Sequence, residues 1–178
     1  MLLKELMYPK RPVEKDSELG IQAGKYVGVH FTPETIEAVK KIIDKEGIPN
    51  PIDPNDIHST IAHSKTDIPD YKADGTLEEP EEARINDFRI FKTKEGGRCL
   101  VATVDSDYLK NRHQKSLAHG VTYDFPEYIP HVTVSYNVGD DWPEENLEKL
   151  TNKYGGTKLK ISDEYAQDLD PDWVEKRT

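Results

Sequence analysis

The chain has 178 residues, of which 35% are apolar, and 11 glycines, about one domain's worth of sequence with a core of medium size. Its 34 acidic and 24 basic residues leave a net charge of −10, which disfavours a long nucleic acid, because duplex binders present a basic face. Membrane spans, a secretory leader, an internal disulfide and a cysteine zinc cage are not expected, since no long apolar run occurs and Cys99 is the single cysteine. A cytoplasmic protein is the expectation.

Residues 1–24 are polar, carry Pro9 and Pro12, and read as an arm ahead of one domain spanning 25–178. Lys25 to Phe31 is rich in strand formers. Thr32, Pro33 and Glu34 then supply a helix start, Ile36, Val39, Ile42 and Ile43 its apolar stripe, and Gly47 its stop. Proline-rich turns lead to a strand over Ile57 to His63. The acidic run 64–84 reads as a surface excursion.

Ile85 to Thr93 and Arg98 to Val104 flank Lys94-Glu95-Gly96-Gly97 and read as a hairpin. A helix over Asp105 to His119, a strand over Tyr128 to Tyr136, a short helix over Trp142 to Leu150 and a strand over Lys158 to Ile161 follow. This order predicts an α+β domain with antiparallel sheet and helices outside.

Two segments carry the chemistry. His58-Ser59-Thr60-Ile61 and His131-Val132-Thr133-Val134 repeat one pattern 73 residues apart, each after a proline-built turn. Strand side chains alternate faces, so His and Thr of each motif share one face, and Ile61 and Val134 point to the other. Side by side, two such strands gather two imidazoles and two hydroxyls. One imidazole can take a proton while the other gives one, and the hydroxyls can donate to phosphoryl oxygens. That set suits phosphoester chemistry and needs no metal or cofactor. His30, His63, His113 and His119 lack a partner motif and are expected to be structural.

The paired motifs resemble those of the two-histidine phosphoesterase superfamily. Tyr26 to Thr32, Ile48 to Ile52, Arg98 to Val101 and His113 to Tyr136 (notably Pro130-His131-Val132-Thr133-Val134-Ser135-Tyr136) further resemble phage anti-CBASS nucleases, which degrade the cyclic oligonucleotide messengers of a bacterial immune pathway. The resemblance spans Lys25 to Gly139 most closely. It implies a bilobal, LigT-like α+β fold whose antiparallel sheets line a central groove. It also implies a catalytic set of His58, Thr60, His131 and Thr133, with His58 favoured as base and His131 as acid, roles that could be exchanged.

The resemblance implies base-stacking groups as well, and Tyr26 and Trp173 fit them. Related tails carry an acidic residue shortly before that Trp; here Gln167 stands there, with Glu164 and Asp168 nearby. The expected activity is opening of the 3′–5′ linkages of cyclic di- and trinucleotides such as 3′,3′-cGAMP, with no obligate protein partner. The alternatives are a 2′,3′-cyclic phosphodiesterase acting on RNA ends and a non-catalytic protein that sequesters the messenger.

Overall fold

The computed structural model describes residues 24–65, 68–121 and 127–169. The N-terminal arm as far as residue 23, and Trp173, lie outside the described residues.

Strand β1, Lys25–Phe31, runs into helix α1, Pro33–Glu46. The helix begins where the sequence predicts. Thr32 accepts a hydrogen bond from the Thr35 amide, Pro33 opens the first turn, and Gly47 closes the helix at φ 61°, a left-handed conformation that glycine adopts at little cost. A 3-10 turn over Pro54–Asp56 then leads into β2, His58–Ser64. Next come β3, Gly75–Lys92; β4, Arg98–Asp105; and helix α2, Asp107–Ala118. The chain continues through β5, His131–Ser135; helix α3, Glu145–Tyr154; and β6, Lys158–Asp168.

Two spans differ most from the sequence reading; besides them, the last helix lies three to four residues later than expected and β5 is shorter at both ends. The acidic excursion ends at residue 74, because 75–84 already belong to β3 and pair with β6: Glu81 lies opposite Ile161 and Ala83 opposite Leu159. A strand so rich in glutamate, exposed along most of its length, shows no apolar alternation to read. Likewise β6 continues past Ile161 to Asp168, held by β1 from Lys25 to Phe31. Cross-strand partners decide both extensions.

The six strands form one antiparallel sheet in the order β2-β1-β6-β3-β4-β5. The strands carrying the His-x-Thr motifs are therefore its two edges. Flat, such a sheet would hold its edges about 24 Å apart. Here Ser59 on β2 donates its hydroxyl to the carbonyl of His131 on β5 at 2.8 Å, so the sheet curls until its edges meet.

The core lies on one face. Val39 and Ile42 of α1 pack there against Phe88, Ala102, Val132, Val134 and Leu159. Leu109 of α2 and Leu150 of α3 join the same cluster, as do Val29 and Ile61. The helices thus occupy the face bearing Ile61 and Val134, and the opposite face is left to the motif residues.

Candidate active site

Register puts the polar residues on the uncovered face. Across the β1–β2 ladder, His30 lies opposite His58 and Gly28 opposite Thr60; across β4–β5, Thr103 lies opposite His131 and Val101 opposite Thr133. Opposite residues in an antiparallel pair share a face. The alternation expected from sequence holds: Ile61 and Val134 are in the core. His58 is part-buried, while Thr60, His131 and Thr133 are 8%, 7% and 4% exposed.

Both imidazoles are held alike. His58 Nδ1 lies 2.6 Å from the carbonyl of Asp56, and His131 Nδ1 lies 2.8 Å from that of Ile129, each two residues back in the chain. A carbonyl only accepts, so Nδ1 carries the proton in both rings and donates it there. Each Nε2 keeps a lone pair for another partner. Phe91 meets the His131 ring edge-on at 5.4 Å between centroids.

Burial lowers the proton affinity of both rings, and of His131 further. His131 is pushed down to about 4 by desolvation, opposed by its carbonyl bond, with repulsion from His58 adding to the fall. His58 is lowered as well, chiefly by desolvation, with repulsion from His30 contributing. The two rings therefore share a tautomer but differ in how readily they take a second proton.

The threonines are backed by partners that the motifs do not reveal. Tyr26 Oη and Thr60 Oγ1 share a hydrogen bond of 2.9 Å. Burial and the neighbouring Tyr165 push the Tyr26 phenol well above its ordinary range, so it stays protonated. Thr133 shares a side-chain hydrogen bond with Cys99, whose thiol burial also holds protonated. Gly28 makes room for the first arrangement, because a Cβ there would stand 2.9 Å from the Tyr26 hydroxyl and 3.0 Å from that of Tyr165.

Of the described residues expected to meet a base, Tyr26 and Glu164 are enclosed. Tyr26 is wholly buried and offers no face to a base in this structure; its role beside Thr60 follows from that burial. Glu164 lies opposite Val29, on the core side of the sheet, 1% exposed. It pairs there with Arg112 at 2.7 Å and accepts from the Tyr71 hydroxyl and, at 2.7 Å, from the Asp74 amide. An ion pair so enclosed is structural, and it removes Glu164 from the ligand side. Gln167 is exposed near the end of β6, opposite Tyr26. His30, taken from sequence as structural, stands on the face that bears the motifs, opposite His58, its Nδ1 2.8 Å from Asp163 and its ring stacked on Tyr165 at 4.2 Å.

No group of three or more His, Cys, Asp or Glu converges to hold a metal among the described residues, and no described helix is long and apolar enough to cross a membrane. Chemically, the site offers two imidazoles, each with an Nε2 lone pair, and two braced hydroxyls.

The family model for the anti-CBASS protein Acb1 matches residues 23–176. The anti-CBASS protein Acb1 of Salmonella phage S16 is 38% identical over 117 residues, 66% of this chain and 74% of that protein. Its counterpart from Yersinia phage phiR1-RT is 33% identical over 152 residues, 85% of this chain and 92% of that protein. Among solved structures, E. coli LigT complexed with 3′-AMP matches with a TM-score of 0.50 at 12% identity, over 82% of this chain and 87% of that one, a likeness of fold. The chain belongs to the Acb1 family of anti-CBASS proteins.

Proposed function

We propose that the protein is a metal-independent phosphodiesterase that opens cyclic di- and trinucleotides at their 3′–5′ linkages and so disarms CBASS defence. One observation carries the reading: two imidazoles on meeting strand edges, each tied through Nδ1 to a carbonyl and each with Nε2 free for proton transfer. Binding alone would not need a second imidazole prepared in the same way as the first.

In this mechanism the ribose 2′-hydroxyl beside the scissile phosphate attacks phosphorus. One histidine takes the hydroxyl proton, and the other gives a proton to the departing 5′-oxygen. Thr60 and Thr133 donate to the non-bridging oxygens, where negative charge grows. The product is a 2′,3′-cyclic phosphate, which water then opens with the two histidines exchanging roles.

The acid must arrive protonated. His58 is nearer solvent and less depressed than His131, so it is the better proton carrier, and His131, driven to about 4, is the ring that waits neutral. This favours His131 as base and His58 as acid in the first step, the exchange of the sequence assignment. Tyr26 enters as a positioning residue for Thr60.

Incubation with 3′,3′-cGAMP in millimolar EDTA, followed by chromatography, tests the reading. Ring opening is expected, and His58→Ala and His131→Ala each lower turnover at least about 100-fold with unchanged melting temperature. Intact messenger recovered with the protein would mean sequestration. Opening only of RNA ends bearing a 2′,3′-cyclic phosphate would mean the RNA-directed activity.

A further inference from the structure

Beyond the two motifs, the motif-bearing face carries Arg89, a cation placed by the fold. Arg89 on β3 lies opposite Val101, and Val101 lies opposite Thr133, so the three form a row across adjacent strands on the same face. Two strand spacings separate the Thr133 and Arg89 backbones, about 10 Å, within reach of an extended arginine side chain.

The guanidinium is aimed rather than loose. Arg89 Nε donates to both carboxylate oxygens of Asp87, at 3.0 and 3.2 Å. Asp87 in turn accepts from the Thr103 hydroxyl at 2.5 Å, and Thr103 stands opposite His131. Asp87 thus ties Arg89 to the strand position beside a motif histidine. The terminal nitrogens of Arg89 carry no hydrogen bond to a described residue, and its side chain is 45% exposed. Arg89 borders an open pocket of about 370 Å³, also lined by Thr103, Tyr128 and Ile129, whose carbonyl holds the His131 ring.

We propose that Arg89 holds the phosphodiester of the cyclic oligonucleotide that is not being cut, while the scissile one lies between the histidines. The proposal rests on the phosphodiesterase reading. A planar fork of donors suits a phosphate's paired oxygens. The rest of the lining selects among phosphates. Lys110 is neutralised by Asp105 at 2.6 Å, and Glu127 also borders the pocket. Such walls tolerate the single charge of a diester and repel the doubly charged terminal phosphate of a finished product, so the subsite favours intact ring over hydrolysed product.

The test uses the full chain and Arg89→Gln, with Arg89→Lys beside it, on two substrates. The first is a cyclic dinucleotide. The second is a linear dinucleoside monophosphate, which has the scissile diester and no second phosphate. For the ring, Arg89→Gln should raise KM roughly tenfold with kcat within about threefold, the scale of one lost charge-assisted contact. For the linear substrate both constants should stay put, and Arg89→Lys should fall between on the ring. Calorimetry with a 2′-deoxy cyclic dinucleotide reads the same tenfold loss as Kd, independently of turnover.

Equal loss on both substrates would place Arg89 on the reacting phosphate, and no loss on the ring would remove it from the site; either overturns the proposal. If the wild-type chain binds the ring without cutting it, the catalytic reading fails and the Kd comparison still decides for Arg89.

Discussion

Ser59, the middle residue of the first motif, donates its hydroxyl at 2.8 Å to the backbone carbonyl of His131, the first residue of the second. The contact joins residues 72 apart in the chain and closes the sheet at the place where the chemistry is proposed. It acts on the backbone of a motif histidine rather than on its ring, so it sets distance between the two imidazoles without consuming a catalytic atom.

Ser59→Ala tests that closure. The serine is 1% exposed, and its loss leaves a buried carbonyl without this donor, at a cost of about 1–2 kcal/mol. A melting temperature lower by several degrees is expected, together with a kcat several-fold lower on cyclic dinucleotide. Stability lost with kcat unchanged would show that the edge contact holds the fold and not the distance.

Tyr26→Phe removes one oxygen and keeps the ring. With its bracing hydroxyl gone, Thr60 rotates more freely, and kcat should drop roughly tenfold while KM and melting temperature change little, since one donor to a developing charge is worth about 100-fold when lost outright. Gly28→Ala should echo the effect, because the added methyl would crowd the same hydroxyl at 2.9 Å. A raised KM with normal kcat would instead return Tyr26 to the role of base contact.

The pH profile of kcat/KM follows from the two lowered histidines. His131 must be neutral to act as base, which it is above about 4. His58 must be protonated to act as acid, and its affinity for that proton lies below the ordinary 6.5. Activity should rise with pH through the first range, fall through the second, and peak on the acidic side of 6.5. A maximum above pH 8 would exclude this pair of roles.

Stability should move with pH for the same reason, with its own sign. His131 takes a proton near 6.5 when unfolded and near 4 when folded, so between those values the unfolded chain binds more protons. Stability is fully present above 6.5 and is lost as pH falls toward 4, by about 3 kcal/mol from this residue. His58 and His113, both lowered by desolvation, add to the same slope. Urea melts at pH 7 and pH 5 should show the decline, and His131→Gln should flatten it; an identical slope in the variant would deny the buried ring its part.

Much of the site was legible in residue order. The His-x-Thr pairs could be found because a period of two is a property of the strand itself, so each motif predicts its own face without knowing its neighbours. Helix α1 was legible for a similar reason: Thr32, Pro33 and Gly47 are local signals, and Val39 and Ile42 repeat at helical spacing. The remainder depends on contacts between segments far apart in sequence. Glu164 and Gln167 stand three residues apart among polar neighbours, yet one is sealed against Arg112 and the other is exposed, because β6 turns alternate residues to opposite faces. Sequence leaves Ser59 and Cys99 as ordinary strand residues and offers Tyr26 as a base contact; only the curl of the sheet and the ladder registers set the three against His131, Thr133 and Thr60. Local spacing determined which groups could do chemistry, and long-range packing, whose partners are set by burial of the whole core, decided what holds each of them in place.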